Sequence, residues 1–152
     1  MNWAARFNVS TTGSKHSPSF QARIYRVSIA QIIQIIIALG LLNVWFLRNS
    51  KSTAYRGGSA KTLKEEFAAY GLPVFAYYIV GTLKIGSAIS LIAGLQNSKV
   101  TLIASTIIVV LMIGALSMHL KAKDPFKKSI PALLMLIMSL FVAYSNFHQG
   151  LT

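Results

Sequence analysis

Cysteine is absent from all 152 residues. Disulfides, thiolate catalysis, iron–sulfur clusters and cysteine-ligated zinc are therefore excluded. Acidic residues are nearly absent. Glu65, Glu66 and Asp124 stand against 15 Lys and Arg, for a formal charge of +12. Charged residues make up only 12% of the chain and the hydrophobic set 54%, where soluble domains average about 25% charged. With a mean hydropathy of +0.57, this composition excludes intrinsic disorder and argues against a soluble enzyme. The signatures of nucleotide and hydrolase chemistry are missing too. There is no P-loop, no Rossmann glycine pattern, no GxSxG and no HExxH. The length fits one domain.

Charge is missing above all from four runs, residues 27–47, 74–95, 100–120 and 130–147. A helix needs about 20 residues to cross a hydrocarbon core of about 30 Å, and the runs hold 21, 22, 21 and 18. Lys84 is the one Lys or Arg inside them; the other 14 and all three acids lie outside. A bilayer imposes that segregation, because a charge at a helix centre costs roughly 2.5–3.5 kcal/mol. A soluble bundle needs a polar stripe on each helix, and residues 107–113 (IIVVLMI) offer none. The sequence thus predicts an all-α fold, a four-transmembrane-helix bundle whose first partner is the lipid bilayer. Membrane topology also accounts for the net charge, so no nucleic-acid partner is expected.

Residues 1–26 form a polar, basic N-terminal tail ahead of a membrane domain spanning 27–148. No cleavable secretory signal is evident, since the first apolar run is too long and starts too late. The Ser-rich, acid-free tail also fits an organellar transit peptide. Its Trp3, Phe7 and Phe20 are suited to the membrane interface. Four spans put both termini on one face, with Arg6, Lys15, Arg23, Arg26 and Lys99. The opposite face carries nine cations on the connectors 48–73 and 121–129. The positive-inside rule places that nine-cation face in the cytoplasm, although Arg23 and Arg26 beside the first span pull the other way. Residues 96–99 are short enough to force an antiparallel hairpin between spans 2 and 3.

The first connector has a structure of its own. Thr62 and Glu65 have the spacing of a capping box. Leu63, Phe67 and Tyr70 form one apolar stripe. Gly71 suits the left-handed position after a helix, and Pro73 stops it. These features predict a short amphipathic interfacial helix between spans 1 and 2, which serves equally as a packed lid.

Candidate chemistry is sparse. An ionisable residue inside a membrane is a functional-site hypothesis, and Lys84 sits mid-span. It would bind an anion or a quinone carbonyl in a polar cavity. Depth along the helices offers Gln34, Thr106 and Ser139 as its neighbours. If Tyr77 and Tyr78 instead mark the interface, Lys84 snorkels towards the headgroups. Thr82, Gly86, Ser90 and Gly94 (or Ala93) recur every four residues, a seam suited to close helix contact. His119 ends span 3 on the face that holds Glu65, Glu66 and Asp124, a candidate cluster for proton handling. The alternative is an interfacial histidine, with Glu65 used in capping and Asp124 in a turn. No metal site is expected, since ligand spacing is absent and His148 lies at the far face.

Several features resemble the DoxX-like membrane proteins between about residues 27 and 144. They are the aromatic-bearing helix ending Gly71-Leu72-Pro73, the glycines Gly81, Gly86 and Gly94, then Gly114-Ala115 and His119, Lys123-Asp124-Pro125, and Pro131-Ala132. The resemblance implies a four-helix bundle, usually in a bacterial inner membrane; the tail leaves an organellar membrane as the alternative. Members of that family are linked to thiosulfate:quinone oxidoreductase, to redox partners in methylamine dehydrogenase maturation and to receptor-assembly chaperones. Many carry a glutamate where this chain has Lys84. Two functions follow as expectations. One is a non-catalytic accessory or assembly subunit, with other membrane subunits or a second copy as partner and no evident cofactor. The other is a quinone-linked oxidoreductase component, with Lys84 and Gln34 on the headgroup and His119 relaying protons.

Overall fold

The computed structural model describes residues 28–149. The tail 1–26 with its aromatic and basic residues, and Val27 at the start of the first predicted span, lie outside the described residues. Among the described residues there are five α-helices and no strand, and four helices are long and apolar enough to cross a membrane. They are α1 (Ile29–Leu42, continued by a π-helical turn Asn43–Leu47), the short α2 (Leu63–Ala69), α3 (Val74–Ala93, closed by a 3₁₀ turn Gly94–Gln96), α4 (Ser98–Lys121) and α5 (Phe126–Gln149). The four long helices close into a ring in which α1 touches α3 and α5, and α4 touches the same two.

The starts and stops follow from side chains. Ser28 and Gln31 form a capping box at α1 that sequence reading did not single out, and Asn97 caps α4 by accepting from two backbone N–H groups. Thr62 and Glu65 form the predicted box at α2. Gly71 takes φ 73° after α2, and the Leu72 N–H reaches back to the Phe67 carbonyl, which closes the helix as a Schellman turn. Instead of lying apart on the surface, α2 docks on α3. Leu63 is buried with Trp45 and Tyr77, and Phe67 meets Tyr77 edge-on. The fourth span, α5, differs from expectation at its start. It begins at Phe126 and carries Pro131 within it. The carbonyl that Pro131 leaves without an N–H partner belongs to Lys127, an exposed residue in the first turn of the helix, so the proline is tolerated there.

The distribution of burial is that of a bilayer protein. Large apolar side chains such as Leu39, Phe75, Ile79, Val110 and Ile137 point outward. Small and polar residues such as Ser87, Thr101, Ser105 and Ser139 are buried between the helices. One apolar core, centred on Ile37, Leu41, Leu91, Ile108 and Val142, holds the ring together.

Candidate functional site

At the end of the bundle where α1 finishes and α5 starts, a cavity of about 450 Å³ opens between the helices and the first connector. Its size is that of small-molecule sites. Leu41, Val80, Met112 and Met135 contribute apolar wall, while Lys84, Glu66, Tyr70 and His119 contribute a polar end.

The polar end is built by two helix terminations. Where α4 stops, Lys123 takes a left-handed φ of 54°, and the Asp124 N–H reaches back to the His119 carbonyl at 3.0 Å. This Schellman turn is what swings the Asp124 carboxylate onto its neighbour five residues earlier. His119 Nδ1 and Asp124 Oδ2 are 2.9 Å apart. Where α2 stops, Tyr70 projects its hydroxyl into the same place, 2.9 Å from His119 Nδ1 and 3.2 Å from both Asp124 Oδ2 and Glu66 Oε1. One phenolic proton faces two carboxylates. Burial and the charges of Glu66 and Asp124 accordingly push the Tyr70 hydroxyl above its ordinary pKa, and it stays protonated.

The carboxylates are each tied to the connector. Arg56 donates to Glu66 Oε2 at 3.2 Å and to the carbonyls of Arg48 and Lys51, and the Gly57 N–H donates to Glu66 Oε1 at 2.7 Å. Arg56 and Glu66 are both buried. At Gly57 a Cβ would lie 1.8 Å from the Tyr70 hydroxyl, so a larger residue would displace it. Asp124 accepts from the Gly58 N–H at 2.9 Å and lies 3.6 Å from Lys128. Burial alone would raise the Asp124 carboxyl. The Gly58 N–H, His119, Tyr70 and Lys128 outweigh it and hold the group below its usual pKa. His119 Nδ1 thus faces both the Asp124 carboxylate and the Tyr70 hydroxyl, and its role as donor or acceptor is set by the tautomer. Among the described residues no three His, Asp or Glu side chains form a metal-binding group.

Of the residues singled out from the sequence, Lys84, Glu66, His119 and Asp124 are brought to this end. Lys84 is half-buried and has no hydrogen bond or ion pair among the described residues. Glu65 is exposed and caps α2, its pKa lowered by the Lys61 N–H that it accepts. Gln34 lies at the opposite end, in a second, amide-lined cavity of about 290 Å³, where it donates to the Leu91 carbonyl and Thr101 Oγ1. Thr106 faces outward and bonds the Leu102 carbonyl. Ser139 is fully buried, its hydroxyl unpartnered, and lines neither cavity. Sequence reading missed Arg56, Tyr70, Trp45 and Lys128. The spacing of Glu66 and Tyr70, four residues apart on one helix, was the available signal for Tyr70.

Four membrane-crossing helices capped by a latched connector define an integral, multi-pass membrane protein. The sequence model of the DoxX-like family matches residues 37–142, and the chain belongs to that family. It is also 29% identical over 84 residues to the uncharacterized protein YdgD of Bacillus subtilis (strain 168), a match covering 55% of this chain and 74% of that one. No solved structure matches.

Proposed function

We propose that the chain is a non-catalytic accessory subunit of a larger membrane complex, set in a bacterial inner membrane with its cation-rich connectors in the cytoplasm. The observation that carries this reading is the outer face of α3. Thr82, Gly86 and Ala93 are exposed there, and a Cβ added at Gly86 would meet nothing within 4 Å. The bundle uses other positions of the same helix, Gly81, Ser87, Ala88 and Leu91, for its own contacts. A lipid-facing stripe of small residues suits close approach by a helix of another subunit or a second copy. The absence of cysteine makes the test free of background. Gly86→Cys in native membranes is expected to form a disulfide or bifunctional cross-link to a discrete second polypeptide. Isolation of the protein as a lone monomer, uncross-linked, counts against the reading.

A second reading, a quinone-linked component, is favoured by the cavity itself. Lys84 lies among apolar walls in the cavity that His119 also lines, and an imidazole there suits proton exchange with a headgroup. Quinone-dependent turnover is then expected to fall sharply in Lys84→Met. Full quinone binding by that variant removes the assignment.

A further inference from the structure

The chain has only three acidic side chains, and each is engaged. Glu65 accepts from the N–H groups of Lys61 and Thr62. Glu66 pairs with Arg56. Asp124 is shared between His119 and Lys128. Arg48 and Lys84 line the same cavity and are in no ion pair among the described residues. No side-chain acid is left to meet them, since residues 1–27 and 150–152 contain none. The charge of Glu66 reaches Lys84 but is already paired with Arg56, so a further counter-charge for this half-buried cation beside an apolar wall would come from outside the chain.

The wall also holds spare polar atoms. The indole Nε1–H of Trp45 and the Nε–H of Arg56 are buried and donate to nothing. Both side chains belong to the cavity lining. These two donors are enclosed behind the cavity surface, and the capacity open to a ligand is that of the cations, which an anionic oxygen group answers. Apart from Thr53, Tyr55, Tyr70, His119 and the already paired Glu66 and Lys128, the rest of the wall is hydrocarbon. A small inorganic anion would leave it unfilled, and a quinone would bring acceptors without charge.

We propose that this cavity seats an anionic amphiphile, its carboxylate or phosphate head towards Lys84 and Arg48 and its chain along the Val80, Met112 and Met135 wall. The inference rests on the cavity holding a ligand, as the quinone reading does, but assigns a different head chemistry.

The test uses the full chain in nanodiscs of zwitterionic lipid, with Trp3→Phe so that Trp45 is the only remaining indole. Dibrominated stearate is expected to quench Trp45 saturably, and its methyl ester only in proportion to the amount partitioned. Lys84→Met is expected to raise the quenching midpoint roughly tenfold, a loss of one favourable charge contact. Arg48→Gln, on an exposed residue, gives a second variant should the first disturb folding. Displacement by plain stearate assigns a carboxylate, and tighter displacement by a lysophosphatidate assigns a phosphate lipid; both support the proposal. Equal saturable quenching by acid and ester, or an unchanged midpoint in both variants, overturns it. Displacement by inorganic phosphate alone overturns the amphiphile. A short-chain quinone that outcompetes stearate overturns the anion and leaves the quinone reading standing. If no probe quenches saturably, and no quinone binds, both fall together.

Discussion

The two ends of the bundle solve the same problem with different chemistry. At the end holding the start of α1, buried polarity is neutral. Gln34 meets a carbonyl and a hydroxyl, Thr101 donates to the Gly94 carbonyl, and Asn146 donates to the Val142 carbonyl one turn back. At the other end polarity is charged, and it ties the ends of α2 and α4 to the first connector. Tyr70 meets Asp124 across 54 positions, and Gly58 meets Asp124 across 66. The neutral end is a way of packing helices. The charged end ties a connector over a cavity and leaves two cations unmatched there. On the proposed reading, the difference separates residues that hold the bundle from residues that a ligand would engage.

The comparison is tested most severely at the buried ion pair. Glu66→Ala leaves Arg56 buried without a counter-charge, so a stability loss of roughly 3–5 kcal/mol is expected, measured by unfolding in mixed micelles. A loss below that of a neutral-end substitution would erase the distinction. Next comes Gly81→Ala. A Cβ there would lie 2.6 Å from the Trp45 ring, and overpacking of this kind costs about 1–3 kcal/mol. Gly86→Ala, facing open space, should stay within about 0.5 kcal/mol in the isolated protein. The same melts check both.

Acid should open the charged end first. Asp124 has its pKa lowered in the folded state. Its contribution is therefore fully present above the ordinary Asp pKa of about 3.9 and is lost as pH falls below it towards the depressed folded value. Hydrogen exchange is expected to rise in the connector around Gly57 and Gly58 below about pH 4, while amides near Gln34 stay protected. Simultaneous loss of protection at both ends would contradict this. A small effect is also expected from Gln34→Leu, about 0.6 kcal/mol and no more than about 1.7, as for other hydrogen bonds between membrane helices.

How much of this was legible in the sequence depended on the range of the interaction. The spans were visible because a bilayer constrains each run separately, through length and charge alone. The α2 helix was visible because Thr62, Glu65 and Gly71 act within one or two turns. The start of α5 was misjudged because Pro131 resembles a helix opener, whereas Phe126–Ile130 complete a turn ahead of it. Depth arithmetic set Gln34 beside Lys84, yet Gln34 meets Leu91, seven positions further along α3, or about 10 Å at 1.5 Å per residue. Sequence carries neither the axial offset nor the rotational phase of one helix against another. Arg56 looked like one loop cation among nine. Its pairing with Glu66 depends on the fold of residues 48–61, which no period or cap encodes.

The most direct measurement is native mass spectrometry of the protein released in mild detergent from its own membrane. A bound anionic amphiphile, present at one per chain, absent from Lys84→Met and retained in Gln34→Leu, is the expected result. A chain that carries no adduct at all, or one that Gln34→Leu removes and Lys84→Met does not, would contradict the division between a ligand-holding charged end and a merely packed neutral one.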